Sequence, residues 1–370
     1  VQYYAHVSDE DEHGHGTHCA GTILGQLCTD EGCSPTTDKS GIAFDAKIAV
    51  EDVGTAQWLS IANPDPMFVR GTKAGAQVHS ASWGNSYNGY QYYDYLVDHY
   101  VYNRDSNYLL VQAAGNGGWW STKNTVSGLH KNGISVCASL NKGYDKGEKY
   151  AAEFSSMGPS ADGRIKPDIC APGKVIFSAS NSDSSGDYLS RQCSHRSMSG
   201  TSMACPGVAG AALLLRQYFM EGYYPHGTKN SGEGFSPSAA LIKAAILNSG
   251  RPMLGREKSN IPSVPYDESQ GFGLISLVDA VYLKDRSKGK VWVWDNVEIS
   301  NGEDWAEIIL GSCSDTIRSI TLVWTDPPGQ SYCNFCLINQ LELTAENDYQ
   351  ILHPNGRSSP DSLNNVQRIR

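Results

Sequence analysis

Short apolar runs alternate with longer helical or polar segments through most of the first 284 residues. A run of about four to eight apolar or β-branched residues between turn residues is typical of a buried strand. Residues 90–103 have a helical pattern and separate two of these runs. Strands that alternate with helices predict a parallel sheet covered by helices on both faces. The predicted strands are residues 47–53, 77–83, 108–114, 134–139 and 174–179.

A long apolar run, residues 204–215, predicts a buried helix with Ser202 at its amino end. The free N–H groups and the positive end of the helix dipole should point toward the group that contacts Ser202. Pro206 fits a place in the first turn, where its missing N–H costs nothing. Two further helices are predicted at residues 236–248 and 276–283. In sheets of this class ligands bind at the carboxyl ends of the strands, so we expect the chemistry there.

The pattern changes near residue 284, where helical segments stop and short β-type runs follow one another between Gly, Asp and Asn. Such a pattern is typical of an antiparallel sandwich. We therefore expect an α/β domain over residues 1–284 and an all-β, jelly-roll-like sandwich over residues 285–370. The runs are residues 291–299, 305–310, 318–324, 337–343 and 349–352.

The composition limits the function classes that this chain can have. It has 370 residues, of which 18% are charged, and a formal net charge of −10. No basic patch supports a nucleic-acid partner. No apolar run reaches the ~18 residues that a membrane span requires. The length is enough to bury a full core, as an enzyme needs.

The ten cysteines favour an oxidising compartment, either extracellular or secretory and vesicular. Cys28 and Cys33 flank a short loop and are predicted to form a disulfide. Cys333 and Cys336 form a CxxC pair, which could be a disulfide or half of a zinc site. A disulfide is favoured because no second CxxC completes four ligands.

Three short segments carry residues with catalytic chemistry. Residues 13–22 read HGHGTHCAGT, residues 111–118 read VQAAGNGG and residues 199–208 read SGTSMACPGV. Together and in this order they resemble the subtilisin family of serine proteases. The resemblance includes residues 154–173 and spans roughly residues 13 to 280. It implies a subtilisin-like α/β fold and hydrolysis of peptide bonds in a polypeptide substrate.

The resemblance also implies a role for each of these residues. Ser202 is the nucleophile, and His15 is the general base that takes its proton. Asn116 donates its side-chain amide to the oxyanion, together with the Ser202 backbone N–H. His18 lies one turn further along the same helix and is expected to be a packed or capping histidine. This chemistry requires no cofactor.

Similarity to the family also places the substrate. An extended peptide would lie along the edge segment Ser82-Trp83-Gly84, with Ala113-Ala114-Gly115 as the opposite wall of the primary pocket. Both segments are neutral, so we expect a large apolar side chain at the cleaved position. No acid can be assigned to the pocket floor, which argues against an obligate Arg or Lys there. Glu12 could favour a basic residue one place upstream. Cys19 and Cys205 stand where the family has small residues and are predicted to be buried packing thiols.

The orienting aspartate of the family is missing from its expected place. It precedes the histidine, on an earlier strand, but His15 lies near the start of this sequence. The acidic run at residues 9–12 is too close to His15 and is expected to be a solvated loop. Either the chain belongs to an inactive, subtilisin-like binding module, or it is a fragment of a longer protease. We expect the second, with the aspartate upstream and the sandwich also incomplete.

Residues 321–329, 337–343 and 361–366 resemble the β-sandwich that follows the catalytic domain in one subtilisin subgroup. That domain can hold calcium, although Gln340 stands where the subgroup usually has Asp. Turn residues in loops would explain the same pattern. The candidate oxygen ligands of a structural calcium ion are Asp326, Asn339, Asp361 and Asn364.

A second chemistry is open to the histidine cluster. His13, His15 and His18 have spacing similar to the metal-binding HxHxDH run of metallo-β-lactamases. Thr17 replaces the aspartate of that run, and a metallohydrolase would leave Ser202 and Asn116 without a role. The serine protease is therefore the preferred hypothesis.

Overall fold

A computed structural model gives the placement of most of the chain. It describes residues 2–5, 11, 13–29, 32–34, 40–54, 64–118, 125–181, 194–259, 262–287, 289–308, 319–346 and 350–370. The helices are α1 His15–Leu24, α2 Asp65–Lys73, α3 Tyr92–Asn103, α4 Thr201–Met220, α5 Ala239–Asn248 and α6 Leu277–Ala280. The strands are β1 Gln2–Ala5, β2 Leu27–Thr29, β3 Gly32–Ser34, β4 Ala49–Asp52, β5 Val78–Ala81, β6 Leu109–Ala113, β7 Ile134–Ser139, β8 Tyr150–Ala151, β9 Ile169–Pro172, β10 Ile176–Ala179, β11 His195–Met198, β12 Gly255–Arg256, β13 Ile320–Val323, β14 Ala345–Glu346, β15 Ile351–Leu352 and β16 Val366–Ile369.

A mostly parallel sheet forms the centre of the molecule, as the sequence predicts. Its strand order is β12-β8-β7-β6-β5, and β9 also pairs with β7. The pairs β5–β6, β6–β7 and β7–β9 are parallel, whereas the short β8 is antiparallel to β7. Every residue of β6 and β7 is buried, because helices cover both faces.

Two of the predicted strands lie outside this sheet. Residues 174–179 contain β10, which pairs antiparallel with β11 in a separate ribbon. Residues 47–53 contain β4, which pairs in parallel with β1. The strand that joins β7 is instead β9, which the sequence analysis did not predict. Pro167 and Pro172 made this stretch resemble a loop, but a proline is tolerated at a strand end.

The predicted helices are present, but their lengths differ from the prediction. α4 covers twenty residues, and most of them are buried on all sides against the sheet and α1. Because α4 begins at Thr201, Pro206 is its sixth residue and not part of the first turn as predicted. α5 is capped by Ser238, whose Oγ accepts from the Leu241 N–H at 3.0 Å. The predicted helix at 276–283 is reduced to the four residues of α6, and α2 was not predicted.

The C-terminal strands form small antiparallel sheets. β13 pairs with β16, and β14 pairs with β15. β13 packs against α5, and the Thr321 hydroxyl donates to Asn248 Oδ1 at 2.8 Å. These strands are compatible with a β domain, and the boundary at residue 284 remains a prediction. Within the described ranges, no helix is both long and apolar enough to cross a membrane.

Two disulfides are present among the described cysteines. Cys333 and Cys336 are bonded, as predicted. Cys137 and Cys170 form a second, unpredicted disulfide between register partners of β7 and β9. Cys28 and Cys33 are also register partners, in β2 and β3, but their side chains lie outside the described part of the chain.

Candidate active site

The three predicted catalytic residues lie at neighbouring ends of secondary structure. His15 begins α1, Ser202 is the second residue of α4, and Asn116 follows the carboxyl end of β6. α1 packs against α4, which brings the first two together. Gly14 precedes α1 with φ of 64°, and a Cβ there would lie 2.1 Å from Asn181 Oδ1. Only glycine fits this turn.

The Ser202 hydroxyl is hydrogen bonded to the edge segment. Its Oγ donates to the Ser82 carbonyl at 3.0 Å, and Ser82 Oγ donates to the Ser202 carbonyl at 2.9 Å. The Ser202 carbonyl is free for this contact because Pro206, four residues later, has no N–H to donate to it. The Cys19 thiol donates to the same carbonyl at 3.3 Å.

His15 lies beside Cys19, which follows it by one turn of α1. Its Nδ1 is 4.0 Å from the Cys19 sulfur, and the described residues include no direct His15–Ser202 hydrogen bond. Catalytic hydrogen bonds are often long in unliganded enzymes and shorten in the substrate complex. Burial lowers the pKa of His15, and the nearby charge of Asp11 partly opposes this. The imidazole is therefore neutral at pH 7 and can accept a proton.

Asn116 is held in one orientation by Thr201. Its Oδ1 accepts from the Thr201 N–H at 2.9 Å and from the Thr201 hydroxyl at 3.0 Å. Thr201 is fully buried, and its hydroxyl also accepts from the Gly115 N–H at 3.1 Å. With its oxygen engaged in this way, the Asn116 amide directs its nitrogen to other acceptors. The sequence analysis missed the role of Thr201.

A cavity of about 270 Å³ lies beside this group, and we call it the primary pocket. Trp83 and Gly84 line it, as predicted. Ala113 and Ala114 are buried, and their carbonyls accept from the Ser127 hydroxyl and N–H, each at 2.9 Å. The lining residues are Trp83, Gly84, Asn85, Tyr87, Gln91, Tyr93, Asp94, Gln112, Ser127, Gly128 and Leu129.

The wall of this cavity includes one acid. Asp94 belongs to its wall, although the carboxylate is largely engaged by backbone. Its Oδ1 accepts from the N–H groups of Leu129 and His130 at 2.8 and 2.9 Å, and its Oδ2 accepts from Gln91 N–H at 2.9 Å. Burial raises the pKa of Asp94 to about 6. Gln91 and Asp94 form the capping box of α3, and that spacing reveals a helix start but not a pocket.

Asp11, the acid that comes before His15 in the described part of the chain, accepts hydrogen bonds from the first turn of α1. Its Oδ2 accepts from the Thr17 N–H and hydroxyl, each at 2.7 Å. The carboxylate thus satisfies a free N–H group of the first turn. Glu12, proposed to favour an upstream basic residue, lies outside the described residues.

The other two histidines differ in environment. His13 is exposed, whereas His18 is fully buried, with its Nε2 at 3.0 Å from the Ile176 carbonyl and 3.2 Å from that of Arg196. A nitrogen facing carbonyls carries a proton and offers no lone pair to a metal. His18 therefore has the packed role that the sequence predicts. Cys19 and Cys205 are free and buried, also as predicted.

The calcium candidates have other partners. Asp326 forms a buried ion pair with Lys131 and accepts from the Ile338 and Asn339 N–H groups. Asp361 accepts from the side-chain amides of Asn355 and Asn364 at 2.7 and 2.8 Å. The Lys131 ammonium thus already neutralises the charge of Asp326. Among the described residues, no three His, Cys, Asp or Glu side chains are grouped to hold a metal.

Comparison with known proteins identifies the family. The model of the subtilase family matches residues 2–273, and the chain belongs to this family. Thermitase of Thermoactinomyces vulgaris is 30% identical over 248 residues, which cover 66% of this chain and 70% of thermitase. The prenylagaramide maturation protease PagA has a similar structure, with a TM-score of 0.50 and 23% identity over 76% of this chain and 85% of PagA. The fold is thus subtilisin-like, and the family supports a serine protease function in general.

Similarity extends over the whole chain in a second group of relatives. The serine protease/ABC transporter B family protein tagD of Dictyostelium discoideum is 27% identical over 509 aligned residues, covering 100% of this chain. The chain spans 28% of the length of tagD and 26% of the related tagB.

Proposed function

We propose that the complete protein is a serine endopeptidase that cleaves polypeptides with Ser202, His15 and Asn116. The observation that carries the proposal is the attachment of Asn116 to Thr201, which holds an amide donor beside the amino end of the helix that carries Ser202. Family membership over residues 2–273 supports the same chemistry.

In the proposed reaction, Ser202 Oγ attacks the carbonyl carbon of the scissile bond while His15 takes its proton. For this step the hydroxyl leaves the Ser82 carbonyl and turns to the imidazole. The oxyanion accepts from Asn116 Nδ2 and the Ser202 backbone N–H, where the dipole of α4 also favours negative charge. His15 then gives the proton to the leaving amine, and water hydrolyses the acyl-enzyme.

The proposed reaction uses only side-chain and backbone groups of the protein and water, so hydrolysis should resist chelators. We also propose an extracellular or secretory and vesicular location. The buried Cys137–Cys170 disulfide supports an oxidising compartment.

Ser202→Ala in the full-length protein tests the assignment. Peptide hydrolysis and labelling by a fluorophosphonate probe should both disappear, because the nucleophile is gone. Ser199→Ala is the matched control, since it removes an exposed hydroxyl three residues away that accepts from the Val175 N–H. Undiminished labelling of Ser202→Ala would refute the assignment. A folded wild-type protein that neither reacts nor hydrolyses would indicate the inactive binding module.

A further inference from the structure

Two residues that line the primary pocket each have a buried polar atom without a hydrogen-bond partner among the described residues. Gln112 is only 2% exposed, and its Oε1 is one of these atoms. Tyr93 Oη is the other. Leaving a buried polar atom unpaired is costly, so such atoms are rare in folded proteins. Here both residues line a cavity, where a ligand could supply the missing partner.

The free end of the Gln112 amide is an acceptor. Its Nε2 donates to the Trp83 carbonyl at 3.0 Å, and a carbonyl can only accept. The oxygen must therefore be the unpaired end. Gly84 permits this close packing, since a Cβ there would lie 2.8 Å from Ser127 Oγ and 3.3 Å from Gln112 Nε2.

The rest of the wall is also suited to a positively charged group. Asp94 is one of the lining residues, and the described residues that line the cavity include no Lys, Arg or His. The rings of Trp83 and Tyr93 meet edge to face with centroids 4.9 Å apart. Aromatic faces attract ammonium and guanidinium groups. An acceptor, an acid and aromatic rings together favour a cation that can donate hydrogen bonds.

The pocket wall is connected through the chain to the segment that contacts Ser202. Its wall residue Trp83 directly follows Ser82, which exchanges two hydrogen bonds with Ser202. Its volume of about 270 Å³ is slightly below the about 300–1,000 Å³ of pockets for small molecules. The cavity therefore has the size of one long side chain.

We propose that the primary pocket binds a Lys or Arg side chain of the substrate residue just before the cleaved bond, and that Gln112 Oε1 is the acceptor that selects it. This inference rests on the proposed function. It differs from the apolar preference expected from the sequence, because Asp94 and Gln112 add polar groups to the residues that line the cavity.

Peptides that differ only in the residue before the cleaved bond test the inference on the full-length protease. The kcat/KM values for Arg and Lys should exceed those for Leu and Phe by about tenfold or more, as a charge-assisted hydrogen bond predicts. Gln112→Met keeps the length of the side chain without the acceptor and should lower the Arg and Lys values by about 10- to 100-fold. Values for Leu should change little.

Gln77→Met is the matched control. Gln77 also has a buried, unpaired Oε1, but it precedes β5 at the end of the strand away from Ser82. It should leave the selectivity unchanged. If Gln112→Met does not fold, Gln112→Glu is the second variant, and its added charge should increase the Arg-to-Leu ratio. A Leu or Phe preference that neither Gln112 variant changes would overturn the inference and leave the proposed function intact.

A ligand-binding assay on a protein that cannot react separates the two proposals. In the Ser202→Ala protein, p-aminobenzamidine should bind with increased fluorescence, and Gln112→Met in the same background should weaken that binding by about tenfold or more. A wild-type enzyme that is inactive on every peptide would refute the proposed function, and this assay would then decide the pocket alone. Binding of p-aminobenzamidine that Gln112→Met leaves unchanged would overturn the inference.

Discussion

At the residue scale, the orientation of Asn116 depends on a single neighbour. Thr201 supplies both donors that engage Asn116 Oδ1, and burial keeps water from replacing them. The amide can then donate to a developing oxyanion without reorganising during the reaction. Thr201 is thus a positioning residue, while Asn116 would touch the reacting atoms.

Asn116→Leu should lower kcat by about 10²–10³ with little change in KM, as loss of the equivalent donor does in subtilisin. Thr201→Val removes the hydroxyl but keeps the backbone donor, so its loss of kcat should be smaller. Thr201→Ser retains both donors and serves as the control. Steady-state kinetics on one peptide compares the three. A reduced kcat in Thr201→Ser equal to that of Thr201→Val would contradict the positioning role.

The sequence predicts roles for His15, Ser202 and Asn116 because each belongs to a short, ordered motif beside a predicted helix or strand. It could not identify Thr201 as their support, since that contact joins residues 85 positions apart. Gln112 was missed for a related reason. Its unpaired oxygen is visible only once the Trp83 carbonyl is seen to engage the other end of the amide.

At the scale of elements, buried strands were easier to predict than the sheet to which they belong. β6 and β7 are mostly apolar and fully buried, and the structure confirms both in parallel pairing. β10 has a similar pattern but pairs only with β11. The local sequence pattern predicts whether a strand is buried but not which strand it pairs with. Tertiary contacts decide the pairing. β9 was hidden by the prolines around it.

The amino end of α1 connects helix stability with the pH dependence of catalysis. Asp11 engages Thr17, and its charge raises the pKa of His15 against the larger, opposing effect of burial. Asp11→Asn keeps an oxygen for Thr17 but removes the charge, so the pKa of His15 should fall further. The base works when neutral, so the acid limb of kcat/KM should move to lower pH.

Asp11→Ala is the matched comparison, because it loses both the charge and the acceptor. It should show the same displaced acid limb together with a lower Tm, whereas Asp11→Asn should keep most of its stability. Measuring kcat/KM between about pH 5 and 8 and thermal unfolding for both variants checks the prediction. An acid limb that moves to higher pH would contradict the prediction. A collapse of activity at every pH in Asp11→Asn would instead make Asp11 the orienting acid.

At the scale of the whole molecule, buried polar side chains join the central sheet region to the C-terminal segment. The Lys131 ammonium donates to Asp326 and to the carbonyls of Pro327 and Cys336. Asn365 donates to the Lys131 carbonyl at 3.0 Å. The sequence predicted separate domains, and it could not predict these contacts because Lys131 and Asp326 are 195 positions apart. Asp326, a candidate calcium ligand on sequence grounds, is paired with a lysine.

Removing one partner of the buried Lys131–Asp326 pair should therefore destabilise the fold more than removing both. Both side chains are fully buried, so Asp326→Ala leaves a cation without its counter-charge and should lower the free energy of unfolding by about 3–5 kcal/mol. Lys131→Met combined with Asp326→Asn removes both charges and keeps an oxygen for the Ile338 or Asn339 N–H, so it should cost less than Asp326→Ala alone. Chemical denaturation of the full-length variants measures the difference. If the double variant loses as much stability as the two single variants together, the two side chains act independently. If calcium stabilises the wild-type protein, Asp326 is a calcium ligand.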